Sequence, residues 1–128
     1  MPKKLDYLAL LLFCALIFWL SNQSKLPTPE WFENEDKLHH FLAYGTMGVL
    51  SWRAWRHLPF KRHTILWLSF GFCSLYGVSD EIHQIFVIGR TPSVIDWLAD
   101  STGAFITVCI YYWRSKPAAK LQPLSGQS

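Results

Sequence analysis

The stretch YLALLLFCALIFWL, residues 7–20, decides the fold. It carries no charge and has no polar face. A helix that is apolar all round, in a chain of 128 residues, belongs in lipid more readily than in a protein core. Three further runs follow: 38–52, continuing to Trp55; 64–78 (TILWLSFGFCSLYGV); and 94–113, interrupted by Asp96 and Asp100. A bilayer core of about 30 Å asks for about 20 residues per helix. Each run approaches that length, and Lys and Arg stems that reach the interface complete the spans. The expected fold is all-α: an integral membrane protein, a four-helix transmembrane bundle. Ser21-Asn22-Gln23-Ser24 follows the first run without a small-x-small cleavage pattern, so that run is expected to stay as a span.

Composition supports this. The chain is 51% hydrophobic and only 16% charged, against about 25% charged in soluble domains. The net charge of +3 is small and dispersed, so no nucleic-acid partner is expected. Cys14, Cys73 and Cys109 each lie inside an apolar run and read as small buried hydrophobes rather than as a disulfide framework. The length allows one domain, residues 1–114. The Pro-, Ser- and Lys-containing stretch 115–128 is expected to be a disordered cytoplasmic tail.

Nine of the 12 basic residues fall at the N-terminus, in the connection after the second run, or after the fourth run. The positive-inside rule then places both termini in the cytoplasm. Most acids fall on the opposite side. Trp52, Trp55, Trp67 and Trp113 are expected near the inner interface, and Trp19, Trp31 and Trp97 near the outer one.

Three polar clusters converge on the outer side. In the first, Asp36, His40 and Tyr44 are spaced i, i+4, i+8 and share one helix face, with Lys37 beside them. A carboxylate, an imidazole and a phenol in a row can move a proton. The second is Asp80-Glu81-Ile82-His83-Gln84, followed by Arg90, whose planar fork suits a carboxylate or a phosphate. In the third, Ser93-x-x-Asp96 fits a capping box. Asp100 lies a turn deeper, on one stripe with Gly103 and Thr107. Small residues along such a stripe allow close helix contact, and an intramembrane acid is a functional candidate by default. Two carboxyls one turn apart near a low-dielectric core are expected to share a proton, so that Asp100→Asn should be tolerated better than Asp96→Asn. The candidates for acid–base work are Asp36, His40, Glu81 and Asp96. Those for holding a ligand are Lys37, Tyr44, Asp80, Gln84, Arg90, Ser93 and Asp100. His40, His83, Glu81 and Asp96 are acceptable metal ligands, but their spacing does not demand an ion; no metal and no cofactor are expected.

The ordered set resembles the VanZ-like family of small bacterial membrane proteins. The matching pieces are Ser21-Asn-Gln-Ser24 and Asp36-Lys37-x-x-His40-x-x-x-Tyr44. They continue with Asp80-Glu81-x-x-Gln84-x-Phe86-x-x-x-Arg90-x-x-Ser93-x-x-Asp96 and end in Gly103-Ala104. One departure is Asp100, where the family commonly has Asn. The resemblance implies a multi-pass protein of the bacterial cytoplasmic (inner) membrane. The family takes its name from a member linked to teicoplanin resistance. The leading expectation is an outward-facing pocket that engages membrane lipids or a lipid-linked envelope precursor and alters resistance to glycopeptide or lipopeptide antibiotics. The rivals are an intramembrane acid–base enzyme on a lipid-linked substrate and a small proton-coupled transporter using Asp96 and Asp100.

Overall fold

A computed structural model describes residues 2–22, 35–89 and 92–115, without the side chains of Glu35 and Asp36. Arg90 and the stretch 116–128, for which a ligand role and a disordered tail were expected, lie outside the described residues.

Four helices form: α1 (Lys3–Ser21), α2 (Glu35–Trp55), α3 (Arg62–Ile85) and α4 (Val94–Arg114). Each contains one of the apolar runs and extends beyond it. The polar sequences Asp36–His40 and Asp80–Gln84 are helix ends rather than loops, so their side chains project from regular helical positions. The helix α2 stops ahead of Pro59, whose ring removes a backbone donor. After α3 the chain turns through Gly89 at φ 84°, a left-handed conformation that favours glycine. The helix α4 starts with half of the expected capping box: Ser93 Oγ accepts the backbone N–H of Asp96 at 3.3 Å, while the Ser93 N–H is donated to Glu81 rather than to Asp96.

Side-chain contacts establish the up-and-down order. The start of α1 meets the end of α2 through Asp6 and Arg53, while its end meets α3 through Ser21 and Asp80. Arg62, at the start of α3, donates to the Tyr112 carbonyl near the end of α4 at 2.5 Å. The helix α2 touches the other three and packs most extensively on α4. There the stripe foreseen on α4 meets a second stripe of small residues on α2. A Cβ on Gly103 would overlap the Phe41 carbonyl, and one on Gly48 would overlap the Thr107 hydroxyl. The two backbones therefore approach as closely as glycine allows.

Leu10, Ile17, Tyr44, Met47 and Cys73 form the main buried cluster, continued by Trp52, Ile65 and Val108. Trp52 is therefore a core residue, not part of an interfacial belt: it is buried edge-to-face against Tyr112. Trp55 likewise packs on Phe72. Elsewhere the surface is greasy, with Leu11, Trp67, Leu75, Ile106 and Trp113 all exposed. Contiguous exposed apolar surface on this scale marks a membrane or partner contact. At 19 and 21 residues, α1 and α4 are long and apolar enough to cross a bilayer. The helices α2 and α3, at 21 and 24 residues, are as long, but their polar ends dilute them.

Candidate functional site

Four helices build the polar centre at one end of the bundle. From the second turn of α2, His40 places its Nδ1 2.7 Å from Asp100 Oδ1 on α4. The side chain of His40 is 8% exposed and that of Asp100 0%. One turn further along α2, the Tyr44 hydroxyl reaches Asp80 Oδ2 on α3 at 3.4 Å, and the Ser21 hydroxyl at the end of α1 donates to Asp80 Oδ1. Asp36, His40 and Tyr44 were expected as a row along one face of α2. Instead His40 and Tyr44 each take a carboxylate from a different helix, and the Asp36 side chain lies outside the described residues.

The adjacent acids of α3 diverge. Asp80 faces Ser21 and Tyr44, whereas Glu81 Oε2 accepts the backbone N–H of Ser93 at 2.8 Å and ties α3 to the start of α4. Asp96 sits at the edge of the centre, in the cap of α4, with Lys37 Nζ 3.7 Å from its Oδ1. The stripe of α4 thus separates its two acids: Asp96 faces a half-exposed lysine and Asp100 faces a buried imidazole.

Several polar atoms here are buried without a hydrogen-bond partner among the described residues: Glu81 Oε1, Gln84 Nε2 and Asp100 Oδ2. Buried polar groups nearly always find a partner, so three orphans beside one cluster are unusual. A cavity of about 60 Å³ adjoins the centre, lined by Ile17, Leu20, Ser21, His39, His40, Ala43, Tyr44 and Asp80. On the other side, a groove of about 400 Å³ between α3 and α4 is walled by Val78, Ile82, Ile85, Val94 and Trp97, with Glu81 at its margin.

His83 is not part of the centre: its ring stacks on Phe18 at 4.6 Å. Ser21 is: it opens the set of residues that resembles the family, but it was not among the site candidates.

A further buried acid, Asp6, was not anticipated. Its carboxylate is held by Arg53 Nε at 3.2 Å, Arg56 Nη2 at 3.2 Å and His57 Nε2 at 2.7 Å, at the opposite end of the bundle. Arg53 and Arg56 therefore do more than set orientation. The signal available was a lone acid in a lysine-flanked, apolar first helix.

The fold is an all-α bundle with a greasy exterior, two helices long and apolar enough to cross a membrane, and a buried His–carboxylate centre. The VanZ/LLP1 family model matches residues 7–115, nearly the whole chain, and the protein belongs to that family. No curated protein and no solved structure matches it.

Proposed function

We propose that the protein is a multi-pass component of the bacterial inner membrane, with four spans and cytoplasmic termini. Its polar centre engages the head group of a lipid-linked cell-envelope component, and this engagement alters susceptibility to glycopeptide antibiotics. The observation that carries the reading is the convergence of His40, Asp80, Glu81 and Asp100, from three helices, under an apolar surface. Four such groups are costly in a bilayer and are retained where they serve a polar ligand. The groove of about 400 Å³ beside Glu81 has the apolar walls that an acyl or prenyl chain would need. Among the described residues, Lys3, Lys4, Arg53, Arg56, Lys61, Arg62 and Arg114 fall at or beyond the helix ends on the Asp6 side, which supports cytoplasmic termini and an outward-facing centre.

The test is teicoplanin susceptibility of a bacterium expressing the chain. Expression should raise the inhibitory concentration, and His40→Ala, at matched protein level, should remove the gain. No gain with the unaltered protein would overturn the resistance role.

A second reading, acid–base chemistry on the same head group, is favoured by the His40–Asp100 pair. A carboxylate on one ring nitrogen fixes the tautomer and orients the other nitrogen, an arrangement suited to a general base. Incubating the purified protein with lipid-linked precursor and following the precursor by mass spectrometry separates the two readings. A changed mass means catalysis; a retained complex of unchanged mass means binding.

A further inference from the structure

We propose that His40, Asp80, Glu81 and Asp100 form a binding site for one divalent transition-metal ion, zinc or manganese. The inference deepens the reading above and rests on the same polar centre. Each of the four side chains offers one donor atom, and all four atoms lie within 4.8 Å of one another. With metal–ligand bonds of about 2.1 Å, the donors of a tetrahedral site lie about 3.4 Å apart. The most separated pair thus has to close by about 1.4 Å to share an ion. Donors from three separate helices converge this closely, so the cluster is not simply a run of acids along one surface.

The orphaned oxygens point the same way independently. Asp100 is fully buried, and its Oδ2 accepts no hydrogen bond from the described residues. Glu81 Oε1, on the neighbouring helix, is equally enclosed and accepts none. A carboxylate oxygen removed from water without a donor is strongly disfavoured. One cation bound between α3 and α4 satisfies both oxygens at once.

The donor set selects the ion. One imidazole with three carboxylates is borderline to hard, which suits zinc or manganese. The imidazole disfavours calcium and magnesium, which take oxygen ligands. Sites for copper(I) and iron–sulfur clusters use thiolates, and Cys14, Cys73 and Cys109 are not among the four donors. The sequence alone suggested a different candidate set, with His83 and Asp96. Packing exchanges them for Asp80 and Asp100, because His83 stacks on Phe18 and Asp96 faces Lys37.

The experiment uses the full chain in detergent, purified on a streptavidin-binding tag because a polyhistidine tag would itself take metal. After chelator treatment it is titrated with zinc chloride or manganese chloride by calorimetry. One equivalent should bind, with a dissociation constant in the micromolar range or below. His40→Ala and Asp100→Ala should each weaken binding by at least about 100-fold. Asp6→Asn, at the far end, should leave it unchanged. Cobalt(II) added to the unaltered chain should give the visible absorption of a low-coordinate site, so the proposal can be judged even if a variant misfolds. No stoichiometric uptake by the unaltered chain, or uptake undiminished in both variants, overturns it. No envelope component is present in this measurement. A failure to bind metal therefore leaves the head-group reading to its susceptibility test, and a failure there leaves the metal stoichiometry standing.

Discussion

Asp6 and Asp100 are both fully buried carboxylates, one at each end of the same bundle, and they are treated in opposite ways. Asp6 is surrounded by donors: two guanidinium groups and an imidazole reach its two oxygens. Asp100 has the His40 imidazole on one oxygen and no hydrogen bond on the other. Burial alone does not mark a working acid. A buried charge that is fully partnered ties helices together, here α1 to the end of α2. One left partly unpartnered has capacity for something the chain itself does not supply.

The largest expected effect lies at the open centre. Asp100→Ala or His40→Ala should abolish any gain in teicoplanin resistance at matched protein level. Asp100→Asn keeps the shape but loses the charge facing His40. It should be more harmful than Asp96→Asn, because Asp96 faces the half-exposed Lys37 in a helix cap. That reverses the order expected from sequence, where the deeper of two neighbouring acids was read as the dispensable one. If Asp96→Asn proves the worse, the ranking by satisfaction fails.

The next effect tests whether close helix packing is what assembles that centre. Gly103→Ala puts a methyl into the Phe41 carbonyl, and backbone cannot move as a side chain can. The helices α2 and α4, which carry His40 and Asp100, must part. Destabilisation of about 1–3 kcal/mol is expected, read as a lowered melting temperature, together with loss of the centre's activity. Gly71→Ala meets nothing within 4 Å and should be neutral or slightly stabilising. Equal effects at the two glycines would count against the close approach.

Much of the fold was legible in the sequence. The four helices follow from four apolar runs, and the cap of α4 from Ser93-x-x-Asp96. Most of the residues that make up the centre could be named as well. Their pairings could not. Helical spacing relates His40 to Tyr44 along α2, but what decides their partners is how near α3 and α4 come, and that depends on contacts such as Gly103 against Phe41. Asp6 escaped for a related reason. An acid in the first turn of a helix already has a sufficient explanation in the helix dipole, and nothing local reveals that the end of α2 folds back onto it.

At the closed end the expected effects are structural and smaller. Asp6→Asn leaves two guanidinium groups without their charge partner, but Arg53 and Arg56 are 30% and 41% exposed and can turn to water or lipid head groups. The expected loss is about 1–2 kcal/mol of stability, with function falling only in proportion to the amount of folded protein. A variant that folds normally yet loses function would place Asp6 in the machinery and dissolve the contrast between the two ends.

The smallest effect sharpens the contrast most. Arg53→Ala removes one of three donors from Asp6, and Arg56 and His57 remain on its other oxygen. Redundant partners share the work of neutralising one charge, so losing one costs less than its proportional share. The lost interaction is also partly solvent-screened, because Arg53 is only half-buried, and about 0.5–1 kcal/mol is expected. Removing His40 from Asp100 has no such cushion, since Asp100 Oδ2 already lacks a partner. The measurement is a pair of melting curves in detergent, Arg53→Ala and Asp6→Asn, each against the unaltered chain. The arginine variant should lose clearly less stability than the aspartate variant. Were it to lose as much, the Asp6 cluster would hang on a single bond, and its resemblance to the His40–Asp100 pair would be closer than the count of donors suggests.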